Sequence, residues 1–324
     1  MPAYLLSGLP VSRGCDLPLG MARAATHEPK QVPLYPRQLR LLQLLRAFGG
    51  ALGKVDLQKL LFLYCQESSS PPYTFVPYRF GAFSFTSYAD LRKLIELGLV
   101  VDEDGWVLTP KAEKTIATED VEFMAFARKY SELRGDPLVA LTYRRYPYFA
   151  TRSEISDRVL AGDMPALKAI TAAKPLTTQT RIFTVGYEGQ TVDSFLNALI
   201  VSAVDVLCDV RRNPISRKPG FSKSTLANSC RNVGIAYEHI PELGIDSSKR
   251  RTLETQADYD ALFADYERDW LPEQKPALRR LRELSNGGRV ALMCFERDPQ
   301  QCHRHCVAEI LETEFGTNYA PRHL

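Results

Sequence analysis

From Arg181 to the carboxyl terminus, short apolar runs alternate with amphipathic stretches, and this alternation constrains the fold more than any other feature. RIFTVGY, VDVLCDV, IAYEHI and RVALMCF read as strands. TVDSFLNALIVSA, SKSTLANSCRNVG, a long region over about residues 256–286, and CHRHCVAEILETEFG read as helices. Strands separated by helices need crossovers rather than hairpins, so the expected fold is α/β, a parallel Rossmann-like sheet with helices on its faces. This domain is placed at residues 179–324.

The amino-terminal part has a different rhythm. Residues 1–33 are rich in Pro, Gly and small side chains without periodicity and read as a weakly ordered leader. Over residues 34–120, a helix from Pro36 carries Leu39, Leu41, Leu42, Leu44, Leu45 and Phe48 and stops at Gly49-Gly50. A second helix lies in VDLQKLLFLYCQ with Asp56 as its cap, and a third in TSYADLRKLIELG ends at Gly98. Two short strands around Asp104-Gly105 form a hairpin signal. Helix, helix, helix, hairpin is the order of a winged-helix module, with the third helix facing a DNA groove and the hairpin as the wing; protein-adaptor use of such a module is the other reading. Residues 121–178 read as a mostly helical bridge. Within it, Tyr143, Tyr146, Tyr148 and Phe149 interleave with Arg144, Arg145 and Arg152. That mixture suits either a stacked, locally single strand of nucleic acid or an interdomain core with arginines at its rim.

Length and composition narrow the partners. A chain of 324 residues, 45% hydrophobic, fits two domains. With 41 Lys+Arg against 38 Asp+Glu, the net charge of +3 excludes a protein that coats nucleic acid indiscriminately. Seven cysteines at irregular spacings are not a disulfide framework and fit a reducing cytoplasm. No apolar run reaches the roughly 18 residues of a membrane span, and the first residues lack the charged start of a signal peptide.

The polar residues of the α/β part collect after its strands. Tyr187 and Glu188 follow the first; Asp209, Arg211, Arg212, Asn213, Ser216, Arg217 and Lys218 follow the second; His239 and Glu242 follow the third; Cys294 and Glu296 follow the fourth. Ligand crevices of open α/β sheets lie beyond the carboxyl ends of the strands, so four segments converge on one site. Between Val210 and Tyr237, basic residues accumulate without an acid, punctuated by Pro214, Pro219 and Gly220, which favours anion binding. Cys302, His303 and Arg304 fall at the start of the last helix, placed to hold an anion or activate a thiol. Cys294, Cys302, His303, His305 and Cys306 invite a zinc reading, but a single helix would point residues 302–306 in several directions, and there is no CxxC pair. No metal is therefore assigned; Cys208 and Cys306 read as core and His305 as helix surface.

These motifs carry a resemblance. TVGYEG at 184–189, DVRRNPISRKPGFS at 209–222, HIPELG at 239–244 and CFERDPQQCHR at 294–304 resemble the domain-of-unknown-function family 488, over about residues 181–324. Slight departures fall at Phe295, Gln300 and Gln301. LQKLLFLY, VPYRFGAFSF and RRYPYFATRS look like the winged-helix region fused to this domain in some bacterial members. The resemblance implies an α/β fold and a bacterial or archaeal cytoplasmic protein, and supplies no activity.

The chemistry is then read from the residues. A metal-dependent nuclease would use Glu188, Asp209, Glu242 and Glu296 around Mg²⁺, with the arginines competing for them. Cleavage of an N-glycosidic bond needs one carboxylate and cations on the flanking phosphates, with aromatic surfaces for an extruded base. The leading expectation is a DNA glycosylase-like hydrolase, independent of metal or other cofactor, acting on modified or foreign DNA in repair or phage defence. Its partner is duplex DNA with a flipped base or a locally single strand. Glu296, Asp209 or Glu188 is the catalytic carboxylate. Arg211, Arg212, Asn213, Ser216, Arg217, Lys218, His303, Arg304 and Tyr187 bind the nucleic acid, with Arg144, Arg145, Tyr146, Tyr148, His239, Glu242, Cys294 and Cys302 accessory. The alternatives are a ligand-sensing DNA-binding regulator, a nuclease, and a cysteine enzyme using Cys294 or Cys302 with His303.

Overall fold

Proline at the first position of a helix costs nothing, because its fixed φ is helical and its missing N–H would lack a partner there. Helix α1 (Pro36–Ala47) starts in this way and buries Leu41, Leu42, Leu44 and Leu45. The computed structural model describes residues 33–116, 120–177, 179–250, 253–316 and 320–324, so the expected leader lies outside the described residues apart from Pro33. After the left-handed pair Gly49 and Gly50 come strand β1 (Ala51–Leu52) and helix α2 (Lys54–Glu67). The aromatic stretch that follows is a tight hairpin, β2 (Val76–Tyr78) and β3 (Gly81–Phe83). Helix α3 (Phe85–Glu96) and strands β4 (Val100–Asp102) and β5 (Trp106–Leu108) complete the expected order. Strands β1, β5 and β4 form an antiparallel sheet with Val101 opposite Val107.

Helix α2 is buried along an unbroken run from Leu57 to Cys65, including Lys59. The Lys59 ammonium donates to the Ala82 carbonyl at 2.8 Å. Burial pushes its pKa down to about 7.

Helix α4 (Pro110–Thr115) follows β5, and residues 121–178 carry α5 (Val121–Tyr130), α6 (Gly135–Arg145), a 3₁₀ turn at Pro147–Ala150, α7 (Ser156–Val159) and α8 (Met164–Ala172), mostly helical as read from the sequence. The aromatic–arginine segment of this bridge forms a core. Tyr146 and Phe149 meet the Phe62 ring edge-on at 5.1 and 4.7 Å, and Tyr143 is buried with its hydroxyl 2.7 Å from Ser153 Oγ. Arg144 pairs with Asp163 at 2.7 Å, and Arg145 donates to the Tyr130 hydroxyl at 2.8 Å. The rings are thus spent on packing, with arginines at the rim.

The carboxy-terminal region contains β6 (Ile182–Gly186), α9 (Val192–Val201), β7 (Val206–Asp209), α10 (Lys223–Asn232), β8 (Ala236–His239), α11 (Gln256–Asp265), α12 (Lys275–Gly287), β9 (Val290–Cys294), α13 (Arg304–Phe315) and β10 (Arg322–His323). The five strands form a parallel sheet in the order β10-β6-β9-β7-β8. Alternate side chains divide between two cores. Phe183, Val185, Leu207, Ala291 and Met293 face α9 and α10, whereas Ile182, Cys208, Val290 and Leu292 face the layer of α11, α12 and α13. Burial on both faces explains why these strands are continuously apolar rather than alternating. The long helical region expected at 256–286 is two helices, joined through a π turn at Tyr266–Trp270 and a 3₁₀ turn at Leu271–Glu273. The edge strand β10 was not foreseen; two residues are too few to show periodicity. No helix among the described residues is long and apolar enough to cross a membrane.

The chain from β6 runs to β7 and β8 by α9 and α10 on one face, then returns by α11–α13 on the other. The connections leaving β7 and β9 therefore depart to opposite faces, which opens a crevice between the carboxyl ends of these two neighbours.

Residues Tyr35–Leu324 pack as one compact unit. Val76 of the β2–β3 hairpin enters the core of α9 and α10, and the Tyr148 hydroxyl donates to Asn197 Oδ1 at 2.6 Å. The junction centres on Asp193, a fully buried acid in the first turn of α9. Its carboxylate accepts from the Phe85 N–H at 2.6 Å, the Thr86 N–H at 3.1 Å and the Thr86 hydroxyl, at the start of α3. The first turn of the helix expected to enter a DNA groove is thereby docked on the α/β region. Arg92 and Lys93, further along α3, are exposed.

Two outcomes are expected. Asp193→Ala leaves two backbone donors of α3 without their acceptor and lowers stability by about 2–3 kcal/mol in urea unfolding. For Lys59, the unfolded chain keeps its proton up to the ordinary value of 10.5, whereas the folded chain releases it near 7. Unfolding free energy therefore rises with pH across that window, and the rise is absent in Lys59→Met, read from urea titrations at both ends of the range.

Candidate active site

Asp209, the last residue of β7, is fully buried, and Arg211 two residues on is almost so. A charge removed from water persists only when paired and hydrogen-bonded. Arg211 Nε and Nη2 donate to the two Asp209 oxygens at 2.8 and 2.5 Å, its backbone N–H adds a bond at 3.1 Å, and the Tyr237 hydroxyl donates at 2.6 Å. Burial disfavours the Arg211 charge, but the adjoining carboxylate more than offsets this and raises its pKa. Burial and then the same carboxylate push the Tyr237 phenol up, keeping it a donor. Arg211 Nη1 donates to the Tyr187 hydroxyl at 3.0 Å, and the Tyr187 ring stacks on Phe221 at 4.4 Å. Asp209, Arg211 and Tyr187 thus form a closed scaffold rather than a free carboxylate and a free phosphate clamp.

The scaffold orients two histidines. His239 Nε2 faces the Arg211 carbonyl at 2.9 Å while Lys223 Nζ lies 3.1 Å from Nδ1, so Nδ1 accepts and Nε2–H donates. His303, 1% exposed, sets Nε2 3.1 Å from the Val210 carbonyl. Since a carbonyl only accepts, the neutral ring carries its proton on Nε2 and its lone pair on Nδ1. Nδ1 lies 3.8 Å from Cys294 Sγ and 4.0 Å from Cys302 Sγ.

This convergence departs from the sequence expectation. Asp298 caps a short 3₁₀ turn at Pro299–Gln301, Cys302 is extended (φ −143°, ψ 127°), and the α-helix starts only at Arg304. Cys302 and His303 therefore precede the helix instead of fanning around it, and they meet Cys294 at the end of β9. Burial first, and then Cys294 and Glu296, push the Cys302 thiol well up, which does not favour an activated thiolate nucleophile. Cys306 is buried in the core as expected.

Of the other acids, Glu296 is half-buried at the crevice with Oε2 3.4 Å from Cys294 Sγ. Glu188 is exposed and accepts from the Arg297 N–H at 3.0 Å. Glu242 is exposed, and its carbonyl receives the Trp270 Nε1–H at 3.0 Å. Arg304 is buried, and Nη1 and Nη2 tie down the Glu296 and Arg297 carbonyls at 2.6 and 2.9 Å. Two close approaches depend on glycine: a Cβ at Gly186 would lie 1.8 Å from the Glu296 carbonyl oxygen, and one at Gly244 2.2 Å from Arg212 N. The exposed rim consists of Arg212, Asn213 and Arg217, with Ser216 and Lys218 half-buried. Ser216 Oγ accepts from the Lys218 N–H, and Lys218 Nζ donates to the Tyr187 carbonyl at 2.9 Å.

Arg144, Arg145, Tyr146 and Tyr148 do not join this cluster; their partners lie in α2, α5, α9 and the α8 cap. Sequence reasoning also missed a cavity of about 710 Å³ beside Arg212, walled by Lys249, Tyr266 and Trp270 and by three acids, Asp246, Asp265 and Asp269. Tyr266 places its ring 5.9 Å from His303, so the cavity adjoins the cysteine–histidine cluster. Trp270 was the available signal, as an exposed aromatic in a charged stretch.

Removing one member of the buried pair tests the scaffold. Arg211→Met leaves the Asp209 charge uncompensated and lowers stability by about 3–5 kcal/mol in urea unfolding, and the double variant with Asp209→Leu recovers most of it.

No curated protein and no solved structure matches the chain. Residues 191–311, which hold the Asp209 loop, the His239–Gly244 segment and the Cys294–Arg304 motif, match the model of a family described as Domain of unknown function DUF488.

Proposed function

We propose that the chain is a DNA-acting hydrolase whose reaction takes place in the crevice between β7 and β9, with Glu296 as the acid–base carboxylate. The observation that carries this reading is the division of labour among the acids. Asp209 has its oxygens occupied by Arg211 and Tyr237, and Glu188 faces solvent while bracing Arg297. Glu296 is half-buried where the strand-end loops meet. A partly desolvated carboxylate at the strand ends, in contact with the Cys294 thiol, suits protonation of a leaving group or activation of water. Arg212, Arg217 and Lys218 would hold the flanking backbone. The bond is most concretely the N-glycosidic bond of a modified base. The amino-terminal module, in its winged-helix-like order, would meet the duplex through the Arg92–Lys93 face of α3 and the β4–β5 hairpin, since the first turn of α3 is docked on Asp193.

The test is release of small products from plain and modified duplexes, followed by mass spectrometry and an abasic-site assay. Glu296→Gln is expected to lower the rate by about 10²–10⁴-fold with the melting temperature unchanged. No product from any DNA, or full activity in Glu296→Gln, overturns the reading. The cavity beside Arg212 favours a second reading, a ligand-sensing regulator, because its size and its mix of aromatic walls with charges of both signs suit a small polar molecule. That reading predicts ligand-dependent DNA binding without a covalent product.

A further inference from the structure

We infer that Cys294, Cys302 and His303 are the three protein ligands of a zinc-type transition-metal centre at the carboxyl end of β9. The inference goes beyond the hydrolase reading and does not rest on it.

The geometry points there first. One potential ligand atom from each residue lies within 4.8 Å of the others, and all three residues are buried. Metal–sulfur and metal–nitrogen bonds of about 2.3 and 2.0 Å in a tetrahedron place S and N about 3.5 Å apart. The His303 Nδ1 distances of 3.8 and 4.0 Å to the two sulfurs need only a small contraction to reach that value. The two thiols also interact with each other, so both sulfurs and Nδ1 are gathered at one point.

The second observation is the orientation of the imidazole. Its Nε2–H is engaged by the Val210 carbonyl, so the lone pair on Nδ1 is aimed at the two sulfurs. A histidine ligand held by a backbone carbonyl on its far nitrogen is the usual outer-shell arrangement of metal sites. The carbonyl is itself fixed by the Asp209–Arg211 scaffold on either side of Val210.

Charge balance is the third. Two thiolates and a neutral imidazole cancel a divalent cation, so the occupied centre is neutral and can sit in a buried site without a counter-ion. Three protein ligands leave one tetrahedral position for water or substrate, and Glu296 stands at the edge of the trio, 3.4 Å from Cys294 Sγ. A water in that position would lose a proton to Glu296 and become a hydroxide nucleophile. A second group, Glu267, His305 and Cys306, also gathers potential ligand atoms, but Glu267 is exposed and His305 Nδ1 lies 2.7 Å from the Cys302 carbonyl.

The full-length protein, reduced and freed of metal by chelator, is titrated with Co(II) and then with Zn(II). One equivalent of Co(II) is expected to give thiolate-to-metal charge transfer and the intense visible bands of a tetrahedral ion, with displacement by Zn(II). Cys302→Ser and His303→Ala each weaken binding by more than about a hundredfold, whereas Cys306→Ser binds as wild type. Should a ligand variant fail to fold, elemental analysis of wild-type protein from zinc-supplemented cells decides the matter, with about one zinc per chain expected. No uptake by the reduced wild type, unchanged binding in Cys302→Ser, loss only in Cys306→Ser, or a Cys294–Cys302 disulfide in protein prepared without oxygen overturns the inference. Metal binding without DNA cleavage leaves the centre standing and removes the hydrolase reading alone.

Discussion

The buried pair of Asp209 and Arg211 governs the end of the sheet that holds the proposed site. An ion pair withdrawn from water contributes stability only when every remaining polar atom is met, and here Tyr237 and Tyr187 meet them. Its reach comes from the backbone it immobilises. The carbonyl of Val210 holds His303 and the carbonyl of Arg211 holds His239. One ion pair at the end of β7 thus orients side chains at the end of β8 and in the segment that follows β9.

The crevice has its position for a second reason. A parallel sheet covered on both faces offers solvent only the ends of its strands, and the connections of β7 and β9 separate the helices at one point along that end. Gly186 and Gly244 let neighbouring loops approach there more closely than a side chain would permit. On the α9 face the amino-terminal module is fastened through Asp193, a buried acid facing the start of α3. The module that would contact a duplex and the site that would act on it are therefore parts of one packed unit.

Much of this was legible in the sequence. Periodicity gave the strands and helices of the α/β region, because burial on two faces demands continuous apolar runs. The gathering of polar residues after each strand placed Asp209, Cys294 and Glu296 at the carboxyl ends of β7 and β9, where they lie. Other features were not legible. The aromatic–arginine segment serves as core because Phe62, far away in sequence, supplies the surface it packs on. Asp209 and Arg211 were readable as a functional carboxylate and clamp, yet they neutralise each other. Only the depth of the β7 end beneath its loops decides between those roles.

Residue types and their order determined a parallel α/β sheet, a preceding helical module, and a polar strand-end site containing Glu296, the cysteines and His303. Tertiary structure alone decided which of those groups meet. Cys302 and His303 read as members of one helix, pointing apart, until the turn at Pro299–Gln301 delays that helix to Arg304. The delay turns them toward Cys294, eight residues earlier on a different element. The physical reason is that a ligand set is a matter of direction as well as proximity. Local sequence fixes an element's period, whereas the direction of a side chain at its end depends on loops held by distant partners.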